Sequence, residues 1–241
     1  MRFTWIPCLV VAFAFAGCAR APLKTEELSP RILIEEACGK AAPGARVESL
    51  KGSVWLKAQS KEAAGQFPAT LEVKRSGTVL MEVTNLVGGV EAVIRVEGNK
   101  YFIDLPKEKA EGQRRQQGSL SWGGIPLTWA ASLFLGRVPC PSEAALLEMI
   151  SELTAAGELR LETQASLERE AELFVFRFRR YEGRPWPEAL HWERKGVAPL
   201  SVDFKFDDPE HETRSPRKWE AKSSQGEVKV RWRDREIVEK R

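Results

Sequence analysis

The amino-acid sequence predicts a mainly β fold: a strongly curved antiparallel sheet, or incomplete barrel, of about eleven strands that encloses a few helices or is covered by them. Apolar and polar residues alternate through many short segments, as they do in strands that bury one face. Turn signals such as Ser76-Gly77 and Gly98-Asn99 separate these segments. A sheet with this many strands rarely stays open and flat, so we expect it to curl.

The chain begins with a short apolar run that predicts an export signal and a lipid anchor. About a dozen apolar residues are too few for a bilayer that needs roughly twenty. The small residues before Cys18 resemble the bacterial lipobox, in which that cysteine is acylated and becomes the first residue of the mature chain. An ordinary secretory signal that contains a cysteine is the alternative. The expected organisation is a signal peptide over residues 1–17, a lipidated linker over 18–29 and a single domain over 30–241.

The first half of the domain predicts one helix and a meander of strands. Residues 30–40 have apolar residues at helical spacing, and Ser29 is placed to cap this helix. In the segments after this helix, apolar and polar residues alternate. In one predicted strand Ala92 and Ile94 lie on one side, while Glu91 lies on the other. The predicted strands are 53–59, 67–74, 79–84, 91–97 and 101–105.

The second half predicts helices followed by more strands. Residues 107–118 are polar and predict a loop or weak helix, whereas 127–135 and 142–156 have helical composition, the latter capped by Ser142. These helices need an apolar partner, so we expect them over an opening of the sheet or inside its concavity. The predicted strands are 159–161, 174–179, 189–194, 200–206, 217–222 and 227–233.

Alternation assigns one set of apolar side chains to the inner face of the sheet. Side chains of this type could line a hollow or simply pack as a core, and both interpretations stay open at this stage. The residues concerned are Val79, Met81, Val83, Ile94, Val96, Tyr101, Ile103, Phe174, Phe176 and Phe178.

Two cysteines remain in the domain once the signal is removed and Cys18 carries lipid. Cys38 and Cys140 would lie in a compartment that permits disulfides. They predict either a disulfide between them or two separate buried thiols.

Composition and motifs argue against several classes of function. The formal net charge is +3, with no basic stripe, so a nucleic-acid partner is not expected. His191 and His211 are far apart in sequence, and no metal site or cofactor is expected. Ser119 and Ser121 lack a Gly-x-Ser-x-Gly elbow, so we predict that the protein is not an enzyme.

Two segments carry a family resemblance. Residues 80–88 read LMEVTNLVG and are followed by a strand; this looks like the strand, turn and returning strand of the LolB family of outer-membrane lipoprotein receptors. Residues 124–127 read GIPL and lead into a helical segment that ends in Leu135-Gly136, similar to a second motif of that family.

The resemblance implies an incomplete barrel with a helical lid. Its apolar hollow, an acyl-chain cavity to which we assign the ten inner residues named above, would accept the acyl chains of other lipoproteins from a periplasmic carrier and pass them into the outer membrane. In this family an exposed leucine in the turn helps to drive cargo into the membrane. The matching position here is Val87, preceded by Leu86, and we expect both residues to form a membrane-insertion loop.

The expected function is therefore that of a lipid-anchored, periplasm-facing, monomeric protein of the outer membrane that binds acylated lipoproteins. Ala19 supports this location, because it replaces the aspartate that the bacterial sorting rule associates with retention in the inner membrane. One alternative is a structural or assembly lipoprotein without lipid cargo, with Trp122, Trp129 and Trp186 forming a protein-binding surface. A lipid hydrolase that uses Ser121 is the other.

Overall fold

The computed structural model describes residues 28–61, 64–106, 115–163, 170–196 and 198–240. The predicted signal peptide, Cys18 and most of the linker lie outside these residues. The helices are α1 (Pro30–Cys38), α2 (Ala130–Phe134), which follows a 3-10 turn at Leu127–Trp129, and α3 (Glu143–Glu148). The strands are β1 (Val47–Gln59), β2 (Ala64–Lys74), β3 (Thr78–Thr84), β4 (Val90–Glu97), β5 (Lys100–Asp104), β6 (Arg115–Ser119), β7 (Ser121–Trp122), β8 (Ile125–Pro126), β9 (Ile150–Leu153), β10 (Leu159–Glu162), β11 (Ala171–Tyr181), β12 (Arg184–Lys195), β13 (Leu200–Pro209), β14 (Pro216–Ser223) and β15 (Glu227–Glu239).

One curved antiparallel sheet of 13 strands dominates the structure, and the predicted fold class is confirmed. Its order is β6-β5-β4-β3-β2-β1-β15-β14-β13-β12-β11-β10-β9. Strands β1 and β15 pair along their whole length and join the two meanders. Strands β6 and β9 are the two edges and do not pair with each other, so the barrel is incomplete. We call β1 to β6 the first half of the sheet and β9 to β14 the second half.

The sheet has more strands than the sequence predicted, because short strands occupy segments between the expected ones. The helical prediction for 142–156 is wrong after Glu148: α3 ends there, Met149 is extended, and residues 150–153 form β9. Pairing of β9 with β10 overrides the helical composition of this segment. Part of the polar stretch predicted as a loop forms β6, which pairs with β5.

Helix α1 packs against β9, β10 and β12. Its N-cap is as predicted, since the Ser29 side chain accepts a hydrogen bond from the Ile32 amide. The buried Glu36 carboxylate accepts hydrogen bonds from Arg184 and from the buried Arg214, at 2.8 and 2.7 Å. This ion-pair cluster fixes the last turn of α1 to the sheet, because a buried charge that lost its partners would be strongly destabilising.

Cys38, the last residue of α1, forms a disulfide with Cys140. Their Cα atoms are 5.7 Å apart, and the bond closes a loop between residues 102 positions apart in the sequence. Of the two alternatives left open by the sequence, the structure contains the bridge. It joins α1 to the segment between α2 and α3.

No helix in the described part of the chain has the length and apolar character needed to cross a membrane.

Candidate binding cavity

An apolar cavity of about 430 Å³ lies between the first half of the sheet and the segment of residues 122–134, which we call the covering segment. This volume falls in the range of small-molecule binding sites, about 300–1,000 Å³. Among the described lining residues, Glu91 is the one with a charged side chain and Gln116 the one with an amide. The lining residues are Leu56, Ala58, Phe67, Met81, Val83, Glu91, Ala92, Ile94, Val96, Tyr101, Ile103, Leu105, Gln116, Trp122, Ile125, Pro126, Leu127, Ala130, Leu133, Phe134, Trp219 and Val228.

The covering segment is held over the sheet by contacts at its start and at its end. The Ser223 hydroxyl donates a hydrogen bond to the Gly123 carbonyl. Gly124 has a φ of +76°, and a Cβ there would lie 2.6 Å from the same hydroxyl, so only glycine fits. At the other end, the Phe134 ring packs edge-on against Trp219, with ring centroids 5.3 Å apart. These contacts hold the covering segment over the sheet, and the cavity lies between the two.

Near the edge of the sheet at β5, the side chains that line the cavity are only partly buried. Tyr101, Ile103 and Leu105 line it and are only half-buried, whereas Met81 and Val83 deeper in the sheet are buried. Gly118 on β6 leaves room for the Tyr101 ring, because a Cβ at this position would lie 2.5 Å from the ring. The side of the cavity next to the edge is therefore the expected entrance for a ligand.

The predicted inner residues divide between the cavity and the core. The structure places Met81, Val83, Ile94, Val96, Tyr101 and Ile103 around the cavity. Val79 is buried elsewhere in the first half and is not among the lining residues. Phe174, Phe176 and Phe178 also lie outside the lining, so their assignment to an acyl-chain cavity is corrected here.

The three phenylalanines are buried among other large side chains of the second half. Trp129, at the end of the 3-10 turn, packs edge-on against Trp192 at 4.7 Å, Phe204 at 5.8 Å and Phe174 at 6.4 Å between ring centroids. Together with α1, this ring turns the second half of the sheet into a packed core.

Leu86 and Val87 project from the turn between β3 and β4, residues 85–89, which we call the tip loop. Their exposed fractions are 85% and 91%. The Gly88 amide donates to the Asn85 carbonyl at 3.0 Å, which makes Leu86 and Val87 the two central residues of a β-turn. This adjacent pair of exposed, large apolar residues makes the tip loop a candidate contact site.

Glu91 is a cavity residue that sequence alternation assigned to the outer face. The register of β3 and β4 shifts here: Val83 pairs with Ala92, but Thr84 pairs with Val90. Glu91 is therefore the extra residue of a β-bulge, and bulges re-aim side chains. In the sequence, the Gly88-Gly89 pair just before β4 is the feature that could have indicated irregular pairing between β3 and β4.

The tryptophans of the alternative protein-binding surface do not share an exposed face. Trp186 is 0% exposed and donates its ring N–H to the Arg214 carbonyl at 2.9 Å. Trp122 lines the cavity and Trp129 packs in the aromatic core. The surface proposed from these three residues is therefore absent from the described part of the chain.

The histidines lie in separate ion pairs. His191 contacts Asp203 at 2.8 Å, and His211 contacts Glu182 at 3.2 Å. In the parts of the chain that the structure describes, no three His, Cys, Asp or Glu side chains group together as a metal site requires.

Comparison with known proteins yields distant structural likenesses. No family model and no curated protein matches the chain. Similar solved structures include a LolA superfamily protein from Nitrosomonas europaea, at a TM-score of 0.49 and 12% identity over 89% of this chain and 96% of that one. A DUF1329 family protein from Desulfovibrio piger has a TM-score of 0.45 and 9% identity over 80% and 86% of the two chains. A domain described as an outer membrane lipoprotein-sorting protein, from Vibrio parahaemolyticus, has a TM-score of 0.40 and 6% identity over 79% and 85%.

Proposed function

We propose that this protein is a lipid-anchored acceptor that binds the acyl chains of lipoproteins in its cavity and helps to insert them into the outer membrane. The observation that carries the proposal is the cavity of about 430 Å³ with apolar walls. An acyl chain gains roughly 0.8 kcal/mol per methylene on leaving water and needs no directional partners. A hollow lined by Met81, Ile94 and Ile103 offers that environment.

The tip loop supplies the second part of the proposal. Leu86 and Val87 lie in the loop that follows β3, whose Met81 and Val83 line the cavity. Entry of two such side chains into a bilayer is favourable by about 1.5–3 kcal/mol each. The loop would bring the cavity against the membrane, so that an acyl chain can pass between the two without crossing water.

The location and partners follow from the same proposal. Acylation of Cys18 would place the domain on the periplasmic face of the outer membrane, on a tether of ten residues up to Leu28. More than one acyl chain on this cysteine gives stable anchoring. A periplasmic lipoprotein carrier would deliver the cargo, and the protein would bind and transfer this cargo as a monomer, without catalysis, cofactor or metal.

Binding is tested with a palmitoylated peptide that carries a photoreactive group in its acyl chain. We expect crosslinks to map to cavity residues such as Met81 and Ile94, and not to Phe174 or Phe176 in the packed core. Absence of crosslinks in the cavity would overturn the proposal.

Delivery is tested by the double substitution Leu86→Glu and Val87→Glu. Loss of the two apolar contacts is expected to slow transfer of acylated peptide to liposomes by about 100-fold or more, with folding and cavity crosslinking unchanged. Leu147→Glu is the matched control, because Leu147 on α3 is equally exposed, at 87%, and lies far from the tip loop in sequence. Equal transfer by the double variant and the control would remove the tip loop from the mechanism.

A further inference from the structure

The tip loop and the cavity are joined by hydrogen bonds from one side chain. The Asn85 side-chain oxygen accepts from the Val87 and Gly89 amides, at 3.1 and 2.8 Å. The side-chain nitrogen of the same residue donates to Glu91 Oε1 at 2.7 Å. The Asn85 amide thus stabilises the tip loop through its oxygen and contacts the cavity-lining Glu91 carboxylate through its nitrogen.

The β-bulge makes this connection. Without it, Glu91 would point away from Ala92 along the strand; with it, both side chains line the cavity. A half-buried carboxylate on an otherwise apolar wall is sensitive to what fills the space beside it, because an apolar ligand removes its water.

We infer that Asn85 is a positioning residue that couples the filling of the cavity to the shape of the tip loop. An acyl chain beside Ala92 removes water from the Glu91 carboxylate, which strengthens its hydrogen bond from the Asn85 side chain. The Asn85 amide is then held more firmly, and so are its hydrogen bonds from the Val87 and Gly89 amides.

This inference rests on the proposed function and adds regulation to it. With the cavity empty, water competes for Glu91 and the turn is held less firmly. With the cavity filled, the turn is fixed, and it presents Leu86 and Val87 to the membrane surface when cargo is present. Transfer would then be favoured for a loaded protein over an empty one.

The test measures hydrogen exchange of the Val87 and Gly89 amides in the full mature chain, reconstituted in lipid nanodiscs with and without a photoreactive palmitoylated peptide. A gain of about 1 kcal/mol in the hold on the loop predicts that the peptide slows exchange of both amides by about fivefold. Ala92→Trp, which blocks the cavity, controls for peptide that merely enters the bilayer; this variant should show no change.

Two substitutions separate coupling from simple loop stability. Asn85→Asp keeps an oxygen that can accept from the two amides but cannot donate to Glu91, so exchange should be independent of the peptide. Adding Glu91→Gln to this variant lets the new amide at position 91 donate to the new carboxylate at position 85. The double variant should therefore recover the response to the peptide, which a purely structural role of Asn85 would not produce.

The outcomes distinguish the two proposals. Crosslinking of the peptide to the cavity, with exchange unchanged at Val87 and Gly89, would overturn the coupling and leave the proposed function intact. A response that persists in Asn85→Asp would overturn the coupling as well. Failure of the peptide to reach the cavity of the unmodified chain would overturn both.

Discussion

The two halves of the sheet are built from the same alternating pattern and reach different results. The first half, β1 to β6, lines the apolar cavity, whereas the inner side chains of the second half, β9 to β14, are buried in the core, and of the described ones Trp219 alone also lines the cavity. Inner residues of the first half are mostly small or aliphatic, such as Ala92 and Val83. Those of the second half include many large aromatic residues, such as Phe176 and Trp192.

The difference shows that side-chain volume and the elements that enter the concavity decide whether a curved sheet is hollow. Alternation determines which side chains face inward, and both halves satisfy it. Only the second half also receives α1 and the Trp129 ring. A binding cavity can therefore share one continuous sheet with a core that stabilises it.

The largest expected effect on stability comes from the disulfide that fixes α1 in the second half. Replacing Cys38 and Cys140 by serine frees a loop between residues 102 apart, and the chain-entropy model gives a loss of about 4.7 kcal/mol for a loop of roughly this length. Urea unfolding of the two proteins measures it. If the second half acts only as the stabilising core, the serine variant should still bind palmitoylated peptide at temperatures at which it is folded. A loss of unfolding free energy below about 1 kcal/mol would show that the other contacts of α1 are enough to hold it.

A matched pair of truncations compares the halves directly. Phe176→Ala, at a residue with 0% exposure, should cost about 3–5 kcal/mol, because it opens a void in a packed core. Ile94→Ala, on the cavity wall, should cost about 1 kcal/mol, since no new void is enclosed. Equal costs in denaturant unfolding would mean that the two halves are packed alike.

This contrast marks the limit of what the sequence could predict. Alternation placed Phe176 and Ile94 on the inner face alike, and both face inward in the structure. It could not predict that Trp129 would pack among the aromatic rings of the second half and leave the space before Ile94 open, because that depends on contacts distant in sequence. Because the resemblance implied a single hollow, the prediction assigned all inner residues found by alternation to it, which is more residues than line the cavity.

Local irregularity limited the prediction at two other places. Glu91 was assigned outward because a bulge shifts the register, and the partner strand that creates it is not visible from the spacing of apolar residues. Residues 150–153 were assigned to a helix because pairing with β10 decides their state. The exposed pair at Leu86 and Val87 was predictable, since a tight turn between two strands leaves its central residues in solvent.

Two inward-facing alanines sharpen the comparison further. Ala221→Trp places a large ring in the packed second half, where Ala221 is 0% exposed, and should cost about 1–3 kcal/mol or more. Ala92→Trp places the same ring in the cavity and should change stability by less than about 1 kcal/mol while weakening peptide binding at least about tenfold. Thermal unfolding and peptide crosslinking measure the two effects. Similar destabilisation by both substitutions would indicate that the first half has no usable space.

The smallest expected effect on stability comes from an ion pair on the outer face of the sheet, where side chains are not packed in the core. The Lys229 ammonium, 2.6 Å from Glu227, lowers the pKa of that carboxyl below its ordinary value of 4.5. A carboxyl with a lowered pKa stabilises the folded state above its unfolded pKa, and this contribution disappears as the pH falls through the folded pKa. Because the pair is partly exposed, Glu227→Gln should cost less than about 1 kcal/mol at pH 7, and this cost should become smaller as the pH falls to 3. Urea unfolding at the two pH values measures this difference, and a cost as large as that of Phe176→Ala would show that outer-face charges, and not the packed half, dominate the stability of the sheet.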